Sequence, residues 1–152
     1  REVSTRFPQI EYSELYVDAC AMNLIRNPEN FDVIVTTNLF GDILSDEAAQ
    51  VVGGLGMGPS GNIGENFSLF EPVHGAAFDI AGKDIANPSS IFLSTKMMLE
   101  WIGEKFNDPL LFTEARKIEN AIVTLLNQNY KTIDIGGKLS TTEFTRMLLD
   151  LL

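Results

Sequence analysis

The chain has 152 residues, 45% hydrophobic and 21% charged, the composition of a globular protein and the length of one domain or parts of two. Its 11 Lys and Arg stand against 21 Asp and Glu, a formal net charge of −10. With no basic patch anywhere, this argues against nucleic acid and against an anionic membrane surface as partners. No apolar run reaches the roughly 18 residues that a membrane span needs, and no signal-peptide pattern opens the chain.

The first residues, REVSTRFPQI, lack an initiator methionine and carry charges that suit the last turn of a helix, so the sequence is expected to be a piece of something longer. Residues 10–17 (IEYSELYV) alternate well enough for a strand, and 18–28 (DACAMNLIRNP) have helical spacing that stops at Asn27-Pro28. Cys20, the only cysteine, lies in that apolar helix with no histidine near it in sequence. It is expected to be a packed thiol in a reducing cytoplasm and not a nucleophile. Residues 31–37 (FDVIVTT) form a continuous β-branched run, the pattern of a strand buried on both faces. Asn38 can cap a helix that runs to about Val52, ended by Gly53-Gly54. Strand, helix, strand, helix predicts an α/β layer.

From Gly53 to Asn66 the chain is glycine-rich and is expected to be loop, continued by FSLFEPVHGAAFDIAGKDIANP, whose apolar residues argue for order. Helices are predicted over Pro88–Lys105, with Pro88 in the first turn, and over about Asp108–Gln128. Ser140-Thr141-Thr142-Glu143 is a capping box that opens a last helix running to the end.

Two patterns carry chemical meaning. Gly56-Met57-Gly58-Pro59-Ser60-Gly61 satisfies G-x-G-x-x-G, with Asp79 at about the distance of a ribose-binding acid. The fingerprint must leave a strand and open a helix, however, and this stretch leaves a helix and enters loop, which argues against a Rossmann site. Asp42 and Asp46 lie four apart on a helix and so share a face, a like-charge pair that costs a few tenths of a kcal/mol unless a cation lies between them. Carboxylates without sulfur or imidazole neighbours suit Mg²⁺ or Mn²⁺. The alternative is that the helix dipole favours Asp42 and that Asp46 is simply solvated.

In chain order, YVDACAMNLIRNPENFDVIVTTNLFGDILSDEAA, GGLGMGPSGNIGE, LFEPVHGAAFDIAGKDIANP and STTEFTRMLL resemble the C-terminal half of the β-decarboxylating 2-hydroxyacid dehydrogenases. That family comprises 3-isopropylmalate, isocitrate and homoisocitrate dehydrogenases. The resemblance covers nearly the whole chain and implies an α/β fold of isopropylmalate/isocitrate dehydrogenase type, distinct from the Rossmann fold. It implies a Mg²⁺ or Mn²⁺ ion held by Asp42 and Asp46 of one subunit and by Asp18 reaching across from the other, where the metal polarises the C2 oxygen as hydride leaves. Without the resemblance, Asp18 reads as a helix N-cap.

The resemblance also implies a dinucleotide site in the loop after EPVHG, formed by Glu71, His74, Gly75, Ala76, Ala77, Asp79, Ile80 and Asn87. A lone histidine such as His74 is more often structural than functional, but this one sits in a glycine-bounded loop. Asp79 can accept hydrogen bonds from the adenosine ribose hydroxyls and would repel a 2′-phosphate, which favours NAD over NADP. Asp134, in DIGG, either closes over the cofactor or is a turn acid before Gly136-Gly137. The family pattern HGSAPDIAGKG reads HGAAFDIAGKD here, with a hydroxyl lost at Ala76 and a proline lost at Phe78.

The family's substrate-binding arginines, catalytic tyrosine and catalytic lysine precede the first residue of this sequence. The resemblance therefore implies no catalytic residue here beyond the metal ligands, and an isolated chain that is inactive. Residues 1–52 would be the remainder of a dimerisation and metal-binding domain, and 53–152 the C-terminal half of the cofactor domain, in a homodimer that shares its metal site. The implied reaction is NAD-dependent oxidative decarboxylation of a 2-hydroxy-3-carboxy acid, foremost 3-isopropylmalate in leucine synthesis. Homoisocitrate or isocitrate as substrate, or a non-catalytic subunit, stand as alternatives. A metal-dependent hydrolase finds no nucleophile-and-base pair.

Overall fold

Proline, glycine and left-handed asparagine set the element boundaries of this chain, whose residues 1–152 are all described by a computed structural model. Helix α1 (Val17–Arg26) ends at Asn27, before Pro28. Helix α2 (Asn38–Val51) is stopped by Gly53 and Gly54, at φ 125° and 113°, a region open to glycine because it has no Cβ. A hairpin follows, β1 (Pro59–Ile63) antiparallel to β2 (Ser68–Pro72), with Gly61 opposite Phe70. Helix α3 (Ser89–Phe106) closes on Asn107, left-handed at φ 53°. One residue later Asp108 caps helix α4 (Pro109–Asn127), its carboxylate accepting from the Leu110 N–H at 3.0 Å. Helix α5 (Thr141–Leu149) starts with the expected capping box, Ser140 accepting from the Glu143 N–H and Glu143 from the Ser140 N–H.

The main core forms where the apolar stripe of α4, at Ile118, Ala121, Ile122 and Leu125, meets Phe144 and Leu148 of α5, with Phe92, Leu93 and Leu99 of α3 at its edge. A second, separate cluster joins Cys20 and Leu24 of α1 to Leu44 of α2. The hairpin sits on α3 through small polar residues. The Ser94 hydroxyl donates to the Glu71 carbonyl at 2.7 Å, and the Ser90 hydroxyl donates to the Gly58 carbonyl. Both serines are fully buried, which is tolerable because their hydroxyls are paired. Lys105 then ties down the hairpin turn, donating to the Asn66 carbonyl at 2.7 Å while lying 4.4 Å above the Trp101 ring.

Several expectations are corrected. Residues 10–16 and 31–37 form no strand and pair with none. Val33 and Val35, expected to be buried, are 83% and 92% exposed. A β-branched run is strand-prone, but a strand also needs a neighbour's hydrogen-bond ladder, and nothing in residues 1–152 supplies one. The opening residues form a single 3₁₀ turn at Ser4–Arg6, not a helix end, beside an exposed Arg1–Glu14 ion pair of 2.6 Å. Thr37, not Asn38, occupies the cap position of α2, with no side-chain capping bond; Asn38 is the first helical residue. Asp18 is likewise inside the first turn of α1, after Tyr16 at the cap position.

The glycine-rich segment expected to be loop is a 3₁₀ turn at Leu55–Met57 followed by the hairpin. Its glycines serve close approach as well as turning. A Cβ on Gly58 would lie 2.7 Å from Val73 Cγ1, and one on Gly61 would lie 3.2 Å from the Phe70 ring. Helix α5 stops at Leu149, just short of the end. No helix is long and apolar enough to cross a membrane.

Candidate functional site

Helix α2 holds Asp42 and Asp46 one turn apart, both exposed. The Asn38 amide, a turn earlier, points at the Asp42 carboxylate from 3.3 Å, so the first carboxylate has a neutral donor beside it and the second projects without one of its own. Asp18 belongs to α1, where its carboxylate accepts from the Ala19 N–H at 2.8 Å. No group of three or more His, Cys, Asp or Glu side chains comes together closely enough to hold a metal ion. The chain therefore unites Asp42 with Asp46 but not with Asp18. Two exposed carboxylates with no nitrogen or sulfur donor suit a hard divalent cation that takes its remaining ligands from elsewhere. Cys20 is buried, and burial, followed by the charge of Glu47, pushes its thiol pKa up. That makes it a poor nucleophile, as its sequence context predicts.

A second group of polar residues lines the chain from β2 to the start of α3. Glu71 is exposed on β2. His74 is half-buried, its Nδ1 3.0 Å from the Gly75 carbonyl; with the proton on Nδ1, Nε2 is left as an acceptor. Gly75, Ala76 and Ala77 form an exposed strip without bulky side chains, and nothing lies within 4 Å of a Cβ built on Gly75. Asp79 sits exposed in a 3₁₀ turn, Phe78–Ile80, beside the half-buried Ile80.

At the end of this loop Asn87 is buried and fully engaged. Its Oδ1 accepts from the Ser89 N–H at 2.9 Å, and its amide donates to Asp134 Oδ2 at 3.1 Å. The other oxygen of Asp134 accepts from the Thr132 hydroxyl at 2.6 Å. Asp134 is thus an acid in the turn closed by Gly136 at φ 81°, and it also reaches across to Asn87.

Gly56 forms the floor of that contact. A Cβ there would lie 2.7 Å from Asn87 Cβ and 3.0 Å from Asp134 Oδ2. The G-x-G-x-x-G match accordingly has a packing origin: Gly56 is in a 3₁₀ turn, Gly61 is inside β1, and no helix N-terminus follows. Sequence reasoning missed the partnership of Gly56 and Asp134 with Asn87, because residues 31 and 47 positions apart carry no local signal of contact.

The family described as isocitrate/isopropylmalate dehydrogenase matches residues 1–148. A 3-isopropylmalate dehydrogenase of Archaeoglobus fulgidus is 51% identical over 152 residues, covering 100% of this chain and 44% of that protein. An isocitrate/homoisocitrate dehydrogenase of Thermus thermophilus is 50% identical over 152 residues, covering 100% of this chain and 43% of that protein. The crystal structure of isocitrate dehydrogenase from Methylococcus capsulatus superposes with a TM-score of 0.90 at 42% identity, over 99% of this chain and 43% of that one. The chain thus spans less than half the length of these relatives.

Proposed function

The chain belongs to the isocitrate/isopropylmalate dehydrogenase family and has its α/β fold, and from that premise we propose an activity for the complete protein. It is the NAD-dependent, Mg²⁺- or Mn²⁺-dependent oxidative decarboxylation of a 2-hydroxy-3-carboxy acid, with 3-isopropylmalate as the substrate. The observation that carries this reading is the Asp42–Asp46 pair, two exposed carboxylates on one helix face with no basic side chain bonded to either.

Asp42 and Asp46 would hold the divalent cation, with Asp18 supplied by a second copy of the chain. When bound, the cation supplies Lewis-acid polarisation of the substrate's hydroxyl oxygen. The chain's own residues bind and orient the dinucleotide. Glu71, His74 and the open Gly75-Ala76-Ala77 strip face the nicotinamide ribose. Asp79 accepts from the adenosine ribose hydroxyls and repels a 2′-phosphate, and Ile80 covers the adenine. Asn87 and Asp134 form a preset polar edge, since their mutual bond already fixes the amide's orientation.

The proposal assigns residues 1–52 to a dimer-forming, metal-holding unit and 53–152 to the cofactor domain. The two separate hydrophobic clusters support that division. Exposed Leu39 and Ile43, at 67% and 56% on α2, support a homodimer closed over that helix. The cytoplasm is the proposed compartment.

A second substrate reading has direct support. The relative named isocitrate/homoisocitrate dehydrogenase is 50% identical against 51% for the one named 3-isopropylmalate dehydrogenase, a difference too small to discriminate. The deciding experiment is NADH formation by the complete protein with Mn²⁺ and NAD on 3-isopropylmalate, homoisocitrate, isocitrate and malate. Turnover of 3-isopropylmalate alone supports the proposal, and preference for another of the acids replaces its substrate. No turnover of any of them would point to a non-catalytic subunit.

A further inference from the structure

The loop that carries Asp79 and Ile80 is held at only a few points. Residues 74–86 make local bonds among themselves, such as Ile80 N–H to the Ala77 carbonyl at 3.2 Å and Lys83 N–H to the Ile80 carbonyl at 3.1 Å. Every hydrogen bond they make outside the segment goes to Thr141 or Thr142, in the first turn of α5. The Asp84 carbonyl accepts from the Thr141 N–H at 2.9 Å. Asp84 Oδ1 accepts from the Thr142 N–H at 3.0 Å and from its hydroxyl at 2.8 Å, and the Ala86 carbonyl accepts from the Thr141 hydroxyl at 2.5 Å.

These bonds complete the accounting of the α5 N-terminus. Ser140 takes the Glu143 N–H at 3.2 Å, and Asp84 takes the two N–H groups before it. The first turn of a helix leaves N–H groups without intrahelical partners, and a carboxylate is favoured there by the dipole. Asp84 reaches this position by adopting a left-handed backbone, φ 56°, which is unfavourable for a residue with a Cβ. The anchor is firm, because α5 is set into the main core by Phe144 and Leu148, both 0% exposed.

Building on the dinucleotide reading above, we propose that Asp84 is a positioning residue: its latch onto the first turn of α5 fixes the loop that presents Asp79 and Ile80 to the adenosine half of the dinucleotide. Asp84 does not touch the cofactor. It acts by restricting how far residues 76–83 can move away from the core. The hydrogen bond from the Thr142 hydroxyl, foremost, also holds the Asp84 carboxyl below the ordinary carboxylate range, so the latch is charged at neutral pH.

The test uses the complete protein as wild type, Asp84→Gly, Thr142→Val and Thr142→Ser. Glycine relieves the left-handed backbone but adds backbone freedom of its own, so a loss in Asp84→Gly is assigned to the missing carboxylate where Thr142→Val reproduces it. Thr142→Val removes the hydroxyl from the other side of the latch and stands in should Asp84→Gly fold poorly. Thr142→Ser keeps both bonds.

Amide hydrogen exchange over residues 74–86 without nucleotide, Kd for NAD and kcat are the readouts. Asp84→Gly and Thr142→Val should speed exchange in the loop. If the binding-competent fraction falls to about a fifth, Kd for NAD rises about fivefold, while kcat at saturating NAD changes by less than about twofold. Thr142→Ser should match wild type. Exchange at the wild-type rate in both loosening variants, or a loosened loop with unchanged Kd, would overturn the proposal. Wild-type protein that binds no NAD would instead sink the dinucleotide reading on which it rests, a result distinct from wild-type binding that Asp84→Gly leaves unchanged.

Discussion

Single residues act here through distances that are already short. Gly58 is buried, and a Cβ there meets Val73 Cγ1 at 2.7 Å, so Gly58→Ala should destabilise by about 1–3 kcal/mol through overpacking, read as a lower denaturation midpoint with unchanged slope. Asp79 is exposed in its turn, and reversing its charge disturbs no core. In the complete protein, Asp79→Lys should weaken NAD use much more than NADP use. An unchanged ratio of the two kcat/KM values would refute the cofactor assignment. The depressed pKa of Asp84 carries a sign as well. A carboxylate whose folded pKa lies below its unfolded value contributes stability above the unfolded pKa and loses it as pH falls through the folded one. The Asp84–Thr142 contact should therefore persist from neutrality down through the ordinary carboxylate range and loosen only below it, visible as shifts of the Thr141 and Thr142 amide resonances in a pH titration.

Among the elements, α5 is the keystone for its size. It is nine residues long, too short to be stable alone, yet it fills the middle of the core and anchors the loop. Phe144→Ala should cost about 3–5 kcal/mol, enough to be read directly in chemical denaturation. Ser140→Ala, which removes half of the capping box, should cost about 1 kcal/mol in the same experiment. The helices were largely legible in sequence for the same reason: Asp108-Pro109, Ser140 with Glu143, and Gly53-Gly54 are local signals of where a helix begins or stops. The hairpin was not legible, because its strands contain glycine and proline and depend for their existence on the buried serines of α3, which lie more than twenty residues away.

The whole molecule is uneven in how well it is covered. The α4–α5 side holds the larger core, with Leu110 and Leu149 exposed at its edges, whereas around α1 and α2 only a small cluster is buried and Val33, Val35, Leu39 and Ile43 are all more than half exposed. Contiguous exposed apolar surface of that kind marks an interface. Residues 1–152 alone should therefore associate or unfold easily, which sedimentation velocity and thermal denaturation will show. In the complete protein, Ile43→Glu should shift a dimer toward monomer. A sedimentation coefficient unchanged by that substitution would remove α2 from the proposed interface.

Sequence by itself determined the family, the five helices and the stops of the first two, the buried thiol of Cys20, and the shared face of Asp42 and Asp46, because each rests on local spacing or on motifs in fixed order. Only the tertiary structure decided that Asn87 bonds to Asp134 over the floor of Gly56, that the glycines of 56–61 serve packing and not a phosphate, and that Asp84 reaches the α5 N-terminus. Each of those contacts joins residues far apart in the chain, and their meeting depends on how helices and hairpin pack, which no local pattern encodes. The run 31–37 marks the same boundary from the other side: its composition is that of a strand, but a strand is completed only by a neighbour that residues 1–152 do not provide.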